Sequence, residues 1–179
     1  DVLFCDEASQ ISIADVCAMG RSAKNLVLVG DSQQLAMPIR AKHPNESGKS
    51  CLDYLIEDRD TIPKDRGIFL NITRRLTPNI NSFESENFYD GRLKFHPITE
   101  KRKIIFAKKE KIFNEPGIYY LPMDHEDNSQ LSEEEGAVVC KLYEKFLKAK
   151  FINENGKERN FTIDDIMCIS PYNVQVNYL

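Results

Sequence analysis

Two short, wholly apolar runs, each ending in acidic residues and set one helix apart, constrain this chain more than any other feature. Val2-Leu3-Phe4-Cys5 stops at Asp6-Glu7, and Leu26-Val27-Leu28-Val29 stops at Gly30-Asp31. An apolar run without polar alternation predicts a strand covered on both faces, as in parallel sheets. Between the two, Ser12 is placed to cap a helix reaching Met19, and Gly20 to close it. Strand, helix and strand in so short a span predict a βαβ unit, and therefore a parallel sheet of the α/β class.

The rest of the chain continues this alternation. Ala36 to Ser50, with Pro38 and Pro44, reads as loop, and a helix is expected from Ser50 to Asp58. Residues 59–67, from Arg59 to Gly67 with Pro63, read as a linker, which divides the chain into residues 1–66 and 67–179. Thr77-Pro78 predicts a helix start, with Thr as cap and Pro at the first helical position; Ile80, Phe83 and Phe88 fall near one face. Ser132-Glu133-Glu134-Glu135 is a capping-box pattern before a helix reaching about Lys150, striped by Val138, Leu142, Phe146 and Ala149. Ile166-Met167-Cys168-Ile169 predicts a third apolar strand, stopped by Ser170-Pro171-Tyr172 and followed by a helix start.

Composition narrows the function classes. With 41% hydrophobic and 29% charged residues the chain has a globular balance, and no run approaches the ~18–20 apolar residues of a bilayer span. Its first residue is Asp1, which suggests a piece of a longer polypeptide. The five cysteines (Cys5, Cys17, Cys51, Cys140, Cys168) form no C-x-x-C pair, which predicts reduced thiols in a cytoplasmic protein, without structural zinc. A net charge of −4 argues against a polybasic nucleic-acid binder but leaves room for a local groove. Between Gly91 and Lys111 there are eight Lys/Arg against two Asp/Glu, a stretch that could track a phosphate backbone or simply form a solvated face.

The acidic strand ends are the first candidates for chemistry, because ligands of open α/β sheets bind at the carboxyl edge. Of two adjacent carboxylates there, Asp6 can hold Mg²⁺ through its water shell while Glu7 orients or deprotonates a water. Gly30-Asp31-Ser32-Gln33-Gln34-Leu35 repeats the arrangement on the next strand, and Gln34 and Glu7 can converge on one water or phosphate if the strands are neighbours. An ordinary Asx-type turn is the alternative reading of that segment. Asp124-His125-Glu126 is a poor metal site, since consecutive loop residues seldom face one ion.

Four segments in order, DEASQ, VGDSQQLAMPI, LNITRRLTPNINSFESENFYDGRL and IMCISPYNVQ, resemble consecutive motifs of superfamily 1 helicases. The chain is most similar to the 5′-to-3′ branch that includes the RNA helicase of nonsense-mediated decay, and within it to bacterial modules often joined to a RecB-like nuclease domain. The resemblance covers essentially the whole chain. It implies parts of two RecA-like domains with ATP and Mg²⁺ between them, acting on single-stranded or duplex nucleic acid, DNA being favoured. By position it implies that Asp6 binds Mg²⁺, Glu7 activates water, Gln10 and Asp31 line the nucleotide site, and Gln34 senses the γ-phosphate. Arg75 matches the arginine that stabilises charge on the transferring phosphoryl group. Ser170, Pro171, Tyr172 and Gln175 match a segment that holds the translocated strand.

The chain departs from the pattern at Arg74, where relatives usually carry an aromatic beside the arginine, and at Thr77, a common histidine position. A guanidinium also stacks on a π-face, so Arg74 remains a candidate base or cofactor contact. Gly48-Lys49-Ser50 reads like the end of a phosphate-binding loop, yet His43 stands at the first glycine and a Pro-containing loop replaces the preceding strand. Without the true loop, which the family places before Asp6, the chain alone is expected to hydrolyse little or no ATP. A non-hydrolysing RecA-like binding module, and a Mg²⁺-dependent phosphohydrolase using Asp6 and Asp31, are the alternatives.

Overall fold

The computed structural model describes all 179 residues except 40, 58, 109, 111 and 114. It has two compact units: Asp1–Asn71 with Glu84–Leu93, and Ile72–Phe83 with Lys94–Leu179. Asp58, the expected end of the second helix, lies outside the described residues, as do Arg40 of the loop and Lys109 and Lys111 of the basic stretch.

In the first unit, β1 (Val2–Cys5) and β2 (Asn25–Leu28) pair in parallel with Val2 against Asn25 and Cys5 against Leu28. The crossover helix α1 (Ile13–Gly20) starts where Ser12 accepts the Asp15 amide, as the sequence predicts. It ends differently. Gly20 stays helical, and Ser22 closes the helix by bonding the Met19 carbonyl with both amide and hydroxyl. Helix α2 (Cys51–Ile56) starts on Ser50, whose side chain accepts the Asp53 amide. The core is small: Ala8, Cys51, Leu52 and Ile56 are buried, with Ile11, Val16, Leu28 and Ile62 packed against them. Full burial of Leu52 or Ile56 contributes roughly 1.5–3 kcal/mol each.

The expectation of doubly covered strands fails for both: Phe4 of β1 is exposed, and so are Leu26 and Val27 of β2. Successive side chains face opposite sides of a sheet; Cys5 is buried, whereas Phe4 is 70% exposed. The α2 cluster meets the sheet at Leu28, which packs against it. Residues 59–67 are no free linker either: Thr61 is buried, Ile62 joins the core, and Arg66 bonds the Leu55 carbonyl.

In the second unit, β3 (Ile72–Thr73) and β4 (Lys94–Phe95) form a second parallel pair, Ile72 against Lys94. Helix α3 (Pro78–Phe88), with Pro78 first as predicted, lies between them in sequence, and the unit boundary passes through it. Its buried residues are the polar Asn81 and Ser85, while Phe83 and Phe88 of the expected aromatic face are exposed. Thr77 Oγ1 is buried without a hydrogen-bond partner among the described residues, so it does not act as the expected cap.

An antiparallel sheet, β5-β6-β7 (Lys103–Ile105, Lys150–Ile152, Glu158–Asn160), was not expected from an all-parallel reading. Its β6–β7 turn is built on Asn153, whose side chain accepts the Asn155 and Lys157 amides, and on Gly156 at φ +77°. Helix α4 (Glu133–Leu147) stops before Lys150, which already belongs to β6. Ser132 caps it by accepting the Glu135 amide, but the return half of the expected box is taken by Gln175 of α5 (Asn173–Tyr178). Gln175 Oε1 accepts the Ser132 amide at 2.7 Å and its Nε2 donates to the Ser132 carbonyl at 3.0 Å. The predicted strand at 166–169 has extended backbone at Ile166 but pairs with no strand among the described residues, and Met167 and Ile169 are 82% and 83% exposed.

Two substitutions test these packing statements. A Cβ at Gly30 would stand 2.8 Å from the Ala8 amide nitrogen and 3.1 Å from that of Ser9; backbone cannot yield as a side chain can, so Gly30→Ala should cost about 1–3 kcal/mol in urea unfolding. Gln175→Ala strips both partners from the buried Ser132 backbone and should cost about 1–3 kcal/mol in the same measurement.

Candidate functional site

Parallel pairing brings the two acidic strand ends to one edge. The ladder runs past the strands themselves: the Val29 amide bonds the Cys5 carbonyl at 2.8 Å, and the Ala8 amide bonds the Val29 carbonyl at 2.9 Å. Asp6-Glu7 and Gly30-Asp31 therefore leave adjacent strands at the same carboxyl edge, where open α/β sheets hold ligands. Gly30 is required here because the turn carrying Ala8 and Ser9 lies directly on it.

Asp6 is exposed, and one of its oxygens accepts the Glu7 amide at 3.0 Å. Glu7 occupies the left-handed region at φ 51°, ψ 44°, and its carboxylate has no partner among the described residues. That conformation costs a residue with a Cβ roughly 1–2 kcal/mol, and such strain concentrates at functional sites. After Glu7 the chain makes one 3-10 turn, Ala8–Gln10, and Gln10 Nε2 donates to the Leu35 carbonyl. Gln10 thus ties the first acidic turn to the far end of the second loop.

The Asp31 carboxylate is a hub. Oδ1 accepts the Gln33 amide at 3.1 Å; Oδ2 accepts the Gln34 side-chain amide at 3.2 Å and the Tyr89 hydroxyl at 2.7 Å. Gln33 Nε2 in turn donates to the Asp60 carbonyl at 3.2 Å. Tyr89 is a residue that sequence reasoning missed, since a lone tyrosine 58 positions from Asp31 gives no local signal. Burial first, and the Asp31 carboxylate second, push its phenol pKa well above the usual range.

In the second unit, the Thr73 hydroxyl accepts the amides of Arg75 (3.2 Å) and Leu76 (3.4 Å). Arg102 Nη1 donates to the Arg75 carbonyl at 3.0 Å, and Arg102 Nε lies 3.5 Å from a Glu154 carboxylate oxygen. The backbone of Arg75 is thereby fixed while the side chains of Arg74 and Arg75 stand exposed. Ser170 Oγ accepts the Tyr172 amide at 3.4 Å, and Pro171 and Tyr172 are exposed. Gln175 does not share that exposure. At 7% it is buried, with both ends of its amide on Ser132, so it supports the segment and is not available for direct contact.

The phosphate-loop look-alike has another structure. Ser50 is a helix cap, and Lys49 pairs with Glu46 at 2.8 Å. A cleft of about 430 Å³ nearby is lined by Ser32, Gln33, Lys49, Asp53, Arg59 and Asp60 among others, with charges of both signs. Among the described residues no group of three or more His, Cys, Asp or Glu is arranged to hold a metal.

Because Tyr89 holds its proton more tightly when folded, its contribution to stability is complete below the ordinary tyrosine pKa of about 10 and is lost as pH rises above it. Alkaline unfolding of the chain should consequently begin at lower pH than that of Tyr89→Phe, as read by circular dichroism.

The chain is 25% identical over 98% of its length to DNA polymerase alpha-associated DNA helicase A of Schizosaccharomyces pombe, covering 27% of that protein. It is 28% identical over 88% of its length to the Regulator of nonsense transcripts 1 homolog of Drosophila melanogaster, covering 13% of it. The chain therefore spans about a quarter or less of the curated relatives it matches. No solved structure matches it significantly. The family described as AAA domain matches residues 48–179, and its match together with the parallel pairs fits an α/β fold of the P-loop NTPase kind. On a match covering most of its length, the chain belongs to the AAA domain family.

Proposed function

We propose that this chain is the middle portion of a superfamily 1 helicase motor, containing parts of two RecA-like domains, residues 1–66 and 67–179. The intact polypeptide couples ATP hydrolysis to movement along nucleic acid, with DNA the favoured track. The observation that carries this reading is the shared sheet edge: β1 and β2 are parallel neighbours, so Asp6-Glu7 and Asp31 to Gln34 leave the fold side by side. The names of the two relatives, one a DNA helicase, add support.

The residues fit ATP–Mg²⁺. Asp6 is an exposed carboxylate with one oxygen uncommitted, suited to an ion that keeps most of its water and phosphate ligands. Bound magnesium supplies charge neutralisation on the phosphates and nothing more is asked of it. Glu7, held in its turn without an ion-pair partner, takes the proton of the attacking water. Gln34, its amide aimed by Asp31, senses the terminal phosphate. Gln10 and Asp31 shape the wall of the nucleotide site through the loop they tether, and the exposed Arg74 offers a planar cation for a nucleotide contact. Arg75, backbone-fixed and side-chain-exposed, stabilises the charge of the transferring phosphoryl group. Ser170, Pro171 and Tyr172 contact the nucleic-acid strand, with Gln175 holding them to α4.

In the full-length polypeptide, Glu7→Gln should lower ATP turnover by roughly 10²–10⁴-fold, the usual worth of a general base, while nucleotide affinity stays within a few-fold. Retained turnover would overturn the reading. Lys49→Ala should leave nucleotide affinity unchanged, because its ammonium is committed to Glu46. The isolated chain should show little or no ATPase, since no amide cradle for a triphosphate is formed at Gly48-Lys49-Ser50.

A further inference from the structure

The loop after β2 is held by Gln10 at Leu35, by Gln33 on Asp60 and by Tyr89 on Asp31, and of these three partners Tyr89 is the most distant in sequence. Tyr89 follows α3, and both it and Asp31 belong to the first unit. The turn Tyr89-Asp90-Gly91-Arg92 has two consecutive left-handed residues, Asp90 at φ 52° and Gly91 at φ 67°. It is anchored on residues 61–69. The Thr61 hydroxyl donates to Asp90 Oδ2 at 2.6 Å, and Arg92 Nη1 donates to Thr61 Oγ1 at 2.5 Å and to the Ile62 carbonyl at 3.2 Å. The Arg92 guanidinium carbon stands 4.6 Å from the centre of the Phe69 ring, whose centroid is 6.1 Å from that of Tyr89. A tyrosine so fixed presents its hydroxyl in one direction, and that direction is Asp31.

From this we infer that Tyr89 is a positioning residue: by donating to Asp31 Oδ2 it fixes the carboxylate that aims the Gln34 amide, and so sets how well the site tells a triphosphate from a diphosphate. This rests on the proposed role of Gln34. The physical reason is one of shared acceptors. Tyr89 and Gln34 bond the same oxygen, at 2.7 and 3.2 Å, while the other oxygen takes the Gln33 amide. With all its donors present the carboxylate cannot turn about its last bond. Without the phenol, the oxygen that receives Gln34 is free to rotate, and the amide loses a fixed direction. Gln10 holds the loop only at Leu35, so it cannot replace this orientation.

The test uses the full-length polypeptide and compares affinity for a non-hydrolysable ATP analogue with that for ADP. Tyr89→Phe should lower the analogue-to-ADP affinity ratio about 3–10-fold, the usual worth of one hydrogen bond, with ADP affinity unchanged and kcat reduced by a similar factor. In a Gln34→Ala background the same substitution should change the ratio less than 2-fold, because its route of action is gone. Asp31→Asn, which keeps the shape but replaces one acceptor with a donor, should lower the ratio like Tyr89→Phe, and it serves if the phenylalanine variant folds poorly. A normal ratio in both single variants, or full additivity with Gln34→Ala, would overturn the inference. If Gln34→Ala itself leaves ratio and turnover unchanged, the γ-phosphate role fails, and the positioning role falls with it.

Discussion

The parallel ladder between β1 and β2 does more than close a sheet. It continues through the Val29 amide to Cys5 and the Ala8 amide to Val29, so the backbone beyond each strand is fixed by the other. The acidic turn after β1 and the glutamine-rich loop after β2 therefore have one geometry with respect to each other, set by main-chain hydrogen bonds. Only glycine fits at position 30, because the approaching atoms are amide nitrogens of Ala8 and Ser9. The side chains then add to a frame that exists without them: Gln10 to Leu35, Gln33 to Asp60, and Asp31 to Gln34.

What the residues made legible follows from how local each signal is. The β1 and β2 runs, the Ser12 and Ser132 caps and Pro78 at the start of α3 depend on neighbours within four positions, and each appears in the structure. The signals that misled are ones a neighbouring residue or a distant partner overrides. Gly20 looked like a stop, but Ser22 supplies the closing bonds. Ile166 to Ile169 has the composition of a strand, and extended backbone is all that composition can secure; pairing needs a neighbour. Strands β5 to β7 have two neighbours each at most and only three residues apiece, too short for any period to register.

The candidate site divides in the same way. Asp6-Glu7 and Asp31 were legible because they end apolar strands. Glu7's left-handed backbone was not, since nothing in Asp-Glu-Ala-Ser demands it. Gln175 looked like a contact residue from its motif and is instead a double hydrogen-bond clamp on Ser132 across 43 positions. Its amide is interchangeable with a peptide group in that setting, offering one donor and one acceptor to a single residue's N–H and C=O.

The basic run from Arg92 to Lys108 gains a different meaning once its two structural arginines are set aside. Arg92 is spent on Thr61, Ile62 and the Phe69 ring, and Arg102 on the Arg75 carbonyl and Glu154. The lysines at 94, 101, 103 and 108 remain in solvent. Only charges that meet a polyanion displace its condensed counterions. In this stretch the charge turned toward solvent is that of the lysines, whereas Arg92 and Arg102 serve as internal ties.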